Sequence, residues 1–154
     1  MWVRFPPEVL FIMPLNKKDT VLDIVWFKKD LRTLDNKSLE FASNSGNPTL
    51  FIYIIEPSVI DSPDCDKRHS RFIYESLIDV EKRFRKFSLD FNYINCEALE
   101  FFEEISKKYN INNVLSYQEI GNNFTYSRDK IIAKFFHSNN INWIQNKTNG
   151  IIRG

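Results

Sequence analysis

The sequence predicts an α/β protein in which helices cover both faces of a doubly wound, five-stranded parallel sheet. Two observations lead to this prediction. Short apolar runs alternate along the chain with amphipathic stretches, which is the pattern of repeated β–α–β units. The first run, VLDIVWF at 21–27, is nearly continuous, as expected of a strand that is buried on both faces. The 154 residues, 43% of them hydrophobic, fit a single domain with a real core.

Five strands are expected. The second apolar run, TLFIYII, lies between a turn that contains Gly46 and a second break at Glu56 and Pro57. The later runs are shorter, and polar residues bound each of them. These runs place the strands at residues 21–27, 49–55, 89–94, 113–117 and 141–144.

Four helices are expected between the strands, over about residues 36–44, 68–87, 98–109 and 126–137. Asp35 or Asn36 can cap the first one, because either side chain accepts hydrogen bonds from exposed N–H groups. In the other three, apolar side chains recur every three or four residues and so share one face. The buried faces would be formed by Ile73, Leu77, Val80, Phe84 and Phe87, by Leu99, Phe102, Ile105 and Tyr109, and by Ile131, Ile132, Phe135 and Phe136.

The strand order of such a Rossmann-like sheet predicts where a ligand binds. The first and fourth strands should be neighbours, with the order of strands reversing between them. Ligands in these folds bind beyond the carboxyl ends of the strands at this switch point. The segments WFKKDLR (26–32) and SYQEIGN (116–122) would meet there, and both are rich in polar residues. We therefore expect a ligand-binding crevice between them.

Composition and missing motifs exclude several classes of function. Neither glycine-rich phosphate loop is present, which argues against a dinucleotide dehydrogenase or a nucleoside triphosphatase. A net charge of +1 gives no support for strong DNA binding by this domain alone. Cys65 and Cys96 lack metal-binding spacing, so we expect two reduced thiols in a cytoplasmic protein without a metal site. No apolar run approaches the roughly 20 residues that cross a membrane.

Residues 1–20 are expected to form an extension that precedes the domain. Their apolar stretch is short, contains Pro6, Pro7 and Glu8, and has no small-residue cleavage site, so it does not resemble a signal peptide. The segment WVRFPP is what one reading frame of the TΨC arm of a tRNA gene would encode. This suggests the hypothesis that the residues upstream of Met13 are not native. A genuine N-terminal arm is the alternative.

Four segments of the chain carry residue combinations that are more specific than the strand and helix pattern. They are WFKKDLR at 26–32 with Asp35, Asn36 and Leu39; RFIYESL at 71–77; Glu119, Gly121 and Asn122 with Tyr126, Arg128 and Asp129; and NGIIR at 149–153. In order and spacing they resemble segments of the DNA photolyase and cryptochrome family, over about residues 21–153. Lys28 and Lys29 depart from the commoner arginine, which keeps the charge but loses the planar guanidinium fork.

The resemblance implies an antenna-type α/β domain at 21–149, with residues 150–154 starting a linker to a helical domain that the chain lacks. In this family the α/β domain often holds a folate or deazaflavin antenna. The helical domain holds FAD and binds damaged DNA, and excited reduced flavin passes an electron to a pyrimidine dimer flipped out of the duplex. Light-dependent DNA repair and blue-light sensing are both functions of the family.

We therefore expect a truncated or split protein that does not repair DNA by itself. A separately encoded FAD-binding domain would be its partner, and DNA would bind only to the complete protein. No membrane and no metal are expected as partners. The alternative is a stand-alone folate- or nucleotide-binding α/β module without catalysis.

No catalytic residue is assigned, and six residues are candidates for antenna binding. Glu119 is the most specific, because an acidic group at a strand's carboxyl end suits hydrogen bonding to the ring edge of a pterin or flavin; a structural role is its alternative. The six candidates are Phe27, Lys28, Asp30, Arg32, Glu119 and Asn122.

Some of these residues also have plain structural interpretations. Asp30 and Arg32 can brace the first turn through an ion pair and backbone contacts. Arg128 and Asp129 are expected to form a local salt-bridge network that holds the last helix against the turn. Lys28 is expected to be a solvated base, and Trp26 a core residue.

Overall fold

A computed structural model of the chain describes residues 20–63, 65–120 and 123–147. Its strands are β1 Val21–Phe27, β2 Thr49–Ile55, β3 Phe91–Asn95, β4 Asn110–Tyr117 and β5 Asn142–Asn146. Its helices are α1 Lys37–Ser45, α2 Pro57–Ile60, α3 Lys67–Arg85, α4 Ala98–Lys108 and α5 Asn123–Ser138. The predictions for residues 1–19 and 148–154, and the one for Asn122, lie outside the described residues.

The five strands form one parallel sheet in the order β3-β2-β1-β4-β5. β1 therefore lies beside β4, and the strand order reverses between them. This confirms the doubly wound sheet and the switch point. Since both strands run in the same direction, the segments that follow Phe27 and Tyr117 emerge at the same edge of the sheet.

The side chains of β1 alternate between two hydrophobic clusters on opposite faces of the sheet. Trp26 belongs to the cluster that contains Phe102 of α4 and Phe136 of α5. Phe27 belongs to the other cluster, with Phe84 of α3. Trp26 is 2% exposed, so its assignment to the core is confirmed. Helices thus cover both faces, as predicted.

Several element boundaries differ from those predicted. The segment after β2 contains the short helix α2, which begins at Pro57, a residue that suits the first helical position. β4 begins at Asn110 rather than at the predicted residue 113. The prediction was too late because the exposed Asn110 and Asn112 interrupt the apolar pattern, although the strand runs through both. Asn36 rather than Asp35 caps α1: its side chain accepts hydrogen bonds from the N–H groups of Ser38 and Leu39.

Two residues predicted to be buried are exposed. α3 ends at Arg85, and Phe87 lies in the following turn with 75% of its surface exposed. Ile131 is 53% exposed because it lies one position, or about 100° of helix rotation, before the buried Ile132. No helix within the described ranges is long and apolar enough to cross a membrane.

Candidate functional site

A crevice opens at the carboxyl ends of β1 and β4, where the sequence predicts a ligand site. We call it the outer crevice. Its volume is about 310 Å³, and both predicted segments contribute to its walls. The lining includes Lys28, Lys29, Asp30, Arg32, Tyr117 and Glu119.

A second cavity, the inner cavity, lies beside the outer crevice toward the end of β2. It is smaller, about 110 Å³, and Tyr53, Glu56 and Cys65 are among the residues that line it. Burial is the main reason that the pKa of the Tyr53 hydroxyl is raised well above its ordinary value. Lys28, Lys29 and Glu119 line both spaces, so these charged residues form the partition between them.

Lys28 is buried in this partition, which makes its prediction as a solvated base wrong. Its ammonium Nζ lies 2.6 Å from Asp129 Oδ2 of α5. It also lies 4.4 Å from the ring centroid of Trp26 and 5.1 Å from that of Trp143. Loss of solvent lowers the pKa of Lys28, and attraction to Asp129 opposes that shift. The ion pair and the two aromatic faces stabilise the buried charge.

Arg128 connects three carboxylates at the same edge. Its guanidinium donates to Glu56, to Glu119 at 3.1 Å and to Asp129 at 2.9 Å. Glu56 follows β2 and also accepts, at 3.4 Å, from the backbone N–H of Ala98 at the start of α4. The predicted salt-bridge network of Arg128 and Asp129 is therefore confirmed, and it reaches farther than expected.

Glu119 has both carboxylate oxygens engaged by cations. Oε1 lies 3.1 Å from Lys29 Nζ, and Oε2 lies 3.1 Å from Arg128 Nη2. Burial pushes the pKa of Glu119 upward, but Lys29 and Arg128 outweigh it and hold the pKa below its ordinary value. For Glu56, burial prevails over Arg128, and the pKa is raised. We call Lys28, Lys29, Glu56, Glu119, Arg128 and Asp129 the ion-pair network.

Asp30 and Arg32 form the turn after β1, but not through an ion pair with each other. Asp30 Oδ1 accepts a hydrogen bond from the backbone N–H of Lys28 at 3.1 Å, which confirms the predicted contact between Asp30 and the backbone of this turn. Burial raises the pKa of Asp30. Arg32 instead reaches Tyr117: Nη2 lies 3.4 Å from the phenol oxygen, and the guanidinium lies 5.3 Å from the ring centroid. The exposed Arg32 side chain therefore covers the aromatic wall of the outer crevice.

The six predicted site residues fall into three groups. Lys28, Asp30, Arg32 and Glu119 meet at the outer crevice. Phe27 is 1% exposed, packs against Phe84 and Phe91, and contributes to the inner cavity only. Asn122 lies outside the described residues.

Sequence reasoning missed three residues of this edge, Lys29, Glu56 and Tyr117. A signal for Glu56 was present, because it directly follows an expected strand next to β1 and so had to emerge at the same edge. Tyr117 lies within SYQEIGN, at the end of β4. Its phenol oxygen accepts from the backbone N–H of Lys37, which joins the crevice wall to the start of α1.

Comparison with known proteins assigns the chain to a family. The family model described as DNA photolyase matches residues 23–153, which is most of the sequence. The chain belongs to the DNA photolyase family. The match includes all four segments on which the resemblance was based.

Curated relatives include both photolyases and cryptochromes. The deoxyribodipyrimidine photo-lyase of Buchnera aphidicola subsp. Baizongia pistaciae is 25% identical over 128 residues, covering 78% of this chain and 26% of the relative. The chloroplastic/mitochondrial cryptochrome DASH of Arabidopsis thaliana is 25% identical over 111 residues, covering 68% of this chain and 20% of the relative. The chain thus spans about a quarter or less of the length of these relatives.

Solved structures have the same fold. An archaeal photolyase from Sulfolobus tokodaii, which contains two FAD molecules, has a TM-score of 0.72 and 24% identity. The alignment covers 82% of this chain and 29% of that protein. A Synechocystis cryptochrome has a TM-score of 0.71 and 19% identity, with 88% of this chain and 28% of that protein covered. The α/β fold is therefore that of the N-terminal domain of photolyases and cryptochromes.

Proposed function

We propose that this domain binds an antenna chromophore, a folate or a deazaflavin, in the outer crevice. The complete protein would use the absorbed light for DNA repair or for blue-light sensing. Its FAD would be held by a partner domain, encoded separately or elsewhere in the same protein. The observation that carries the proposal is the crevice at the β1–β4 switch point, the edge at which ligands of doubly wound sheets bind.

The size and the lining of the outer crevice are compatible with a planar chromophore. Its volume of about 310 Å³ is near the lower end of the range for small-molecule sites, roughly 300–1,000 Å³. The inner cavity, about 110 Å³, lies well below that range. Tyr117 and Ile120 supply apolar surface to the outer crevice, whereas Lys29 and Arg32 supply positive charge at its mouth.

These residues would have distinct tasks in holding the chromophore. Lys29 and Arg32 would attract an anionic arm, such as a glutamate or phosphate tail, because both side chains are exposed and cationic. The ion-pair network would keep the floor of the crevice rigid, since Arg128 ties α5 to the ends of β2 and β4. When bound, the chromophore would supply light absorption in the near-ultraviolet or blue.

The first test is the absorption spectrum of the purified chain. We expect a band between the near-ultraviolet and the blue, either on purification or after addition of methenyltetrahydrofolate or a deazaflavin. Titration of the full chain with each compound, followed by absorbance and fluorescence, gives the affinity. If neither compound binds, and no chromophore co-purifies, the antenna proposal is wrong.

A charge reversal at the mouth tests the place of binding. Arg32→Glu should weaken binding of an anionic chromophore by about tenfold or more, because an attractive charge becomes a repulsive one. Arg71→Glu is the matched control, since Arg71 is also exposed but lies on α3 and pairs with Glu75. Equal losses in the two variants would place the ligand elsewhere.

The role in the complete protein requires a second assay. We expect the 154-residue chain to show no repair of dimer-containing DNA under blue light, even with added FAD, and to gain it only with a flavin-binding partner domain. Repair by the isolated chain would contradict this part. A stand-alone binding module, the alternative, would bind the chromophore but bind no such partner in a pull-down with flavin domains.

A cytoplasmic location is also part of the proposal. Cys65 and Cys96 are both free, and the cytoplasm would keep these thiols reduced.

A further inference from the structure

A large groove lies on the α3 side of the sheet, away from the outer crevice. It runs between α1 and α3 over β2, and we call it the α1–α3 groove. Its volume is about 570 Å³. Phe51 of β2 forms the floor, Leu39 of α1 one wall, and Phe84 of α3 the other. None of its lining residues lines the outer crevice or the inner cavity.

The groove exposes apolar surface that the fold would ordinarily bury. β2 is an interior strand, yet Phe51 is only partly buried, whereas the neighbouring Leu50 is 3% exposed and Ile52 is 1% exposed. Phe87 and Leu89, at one end of the groove, are 75% and 44% exposed. Exposed apolar surface concentrated in one concave site is typical of a binding site rather than of ordinary surface.

One charged side chain, Arg83, contributes to the lining of this groove. Its Nη1 lies 3.3 Å from the hydroxyl oxygen of Thr33, a neutral acceptor that holds the guanidinium along the wall. Nearby Lys82 and Arg85 pair with Asp79 and Glu81, but within the described ranges Arg83 pairs with no carboxylate.

From these observations we propose that the α1–α3 groove binds a small apolar carboxylate, with an aromatic or alkyl body on Phe51, Phe87 and Leu89 and its carboxylate on Arg83. Phe51 on the floor and the exposed side chains at the end of the groove supply the apolar contact, and Phe84, itself 4% exposed, holds the ring of Phe51 edge to face at 4.9 Å between centroids. The guanidinium supplies charge complementarity, because its planar fork matches a carboxylate. This site is independent of the antenna proposal, since the two share no residue.

Nuclear magnetic resonance of the full, ¹⁵N-labelled chain can locate such a ligand. The probes are naphthalene-2-carboxylate and its neutral amide, which have the same aromatic body. We expect saturable shifts of backbone amides around Leu39, Arg83 and Leu89, with the carboxylate binding more tightly than the amide. Shifts confined to the outer crevice, no saturable shifts, or equal affinity for the two probes would overturn the proposal.

Matched variants test the two parts of the site separately. Arg83→Gln should weaken binding of the carboxylate by about two- to fivefold, the scale of an exposed ion pair, and leave binding of the amide unchanged. Arg85→Gln is its control, on the same helical turn but outside the groove lining. Phe87→Ser should weaken both probes, whereas Phe72→Ser, an equally exposed phenylalanine near the other end of α3, should weaken neither. If either control variant weakens binding as much as the groove variant with which it is paired, binding does not occur in the groove.

Discussion

The two ends of the sheet both bury polar side chains, but with different chemistry. Toward the amino-terminal end, Asp23 is fully buried, and within the described ranges its hydrogen-bond donors are neutral groups. Its donors are the backbone N–H of Asn113 at 3.2 Å and the side-chain amides of Asn113 and Asn47 at 2.8 and 3.1 Å. At the carboxyl end, the ion-pair network joins cations to carboxylates and separates two cavities.

This comparison shows that burial of a charged residue does not by itself mark a functional site. Neutral amides donate to both carboxylate oxygens of Asp23, and these hydrogen bonds link β1 to β4 and to the turn before β2. In the ion-pair network, by contrast, Lys29 reaches solvent with 64% of its side chain exposed. A ligand can therefore reach charge at the carboxyl end, whereas the donors of Asp23 named above all belong to the fold itself.

Removing the central cation of the network should have the largest effect. Arg128→Met leaves the buried carboxylates of Glu56 and Glu119 without their shared partner, so we expect the free energy of unfolding to fall by about 3–5 kcal/mol. Urea denaturation measures this loss. Arg71→Met, which breaks an exposed pair with Glu75, should cost less than about 0.5 kcal/mol. Similar losses in both variants would show that the network contributes no more than a surface ion pair.

The amino-terminal cluster should be sensitive to a change that preserves shape. Asp23→Asn places an amide donor against the amide donors of Asn113 or Asn47, and we expect a loss of about 2 kcal/mol in the free energy of unfolding. Chromophore affinity in the folded protein should not change. Asp90→Asn, at an exposed position before β3, is the control. If Asp23→Asn changes the chromophore affinity, the amino-terminal end of the sheet also influences ligand binding, and the two ends do not differ in that respect.

The pH dependence of stability should separate the two glutamates of the network. The folded pKa of Glu119 lies below its ordinary 4.5, so its contribution is present above pH 4.5 and is lost as the pH falls through the lowered pKa. The folded pKa of Glu56 is raised, so its contribution is present below pH 4.5 and is lost as the pH rises through the raised pKa.

Substitution of each glutamate should therefore change the acid limb of the stability curve in opposite directions. Glu119→Gln should make the loss of stability between pH 6 and pH 3, as measured by urea denaturation, shallower. Glu56→Gln should make it steeper. If both variants shift the curve in the same direction, the two carboxylates do not have opposite environments.

The smallest stability effect is expected at the solvent side of the network. Lys29→Met removes a partly exposed pair with Glu119, which should cost at most about 1 kcal/mol. The same variant should weaken an anionic chromophore, as judged by titration. Lys107→Met, which breaks the exposed pair with Glu104, should change neither quantity appreciably. A large stability loss without a change in affinity would make Lys29 a structural residue.

The sequence predicted the parts of this site that depend on local pattern. Apolar periodicity located the strands, and their alternation with helices brought WFKKDLR and SYQEIGN to one edge. The burial of Lys28 was not predictable from that pattern, because its partner Asp129 is 101 positions away. The contact of Arg128 with Glu56, 72 positions away, was missed for the same reason.

By itself, the sequence determined the fold class, the switch point and the family. These follow from hydrophobic spacing and from short motifs, each of which is contained in one segment of the chain. Only the tertiary structure decided which charges are buried, which carboxylates share Arg128, and where α1 and α3 leave Phe51 only partly buried. Burial and electrostatic pairing are sums over neighbours that folding brings together from distant segments, so no local pattern can specify them.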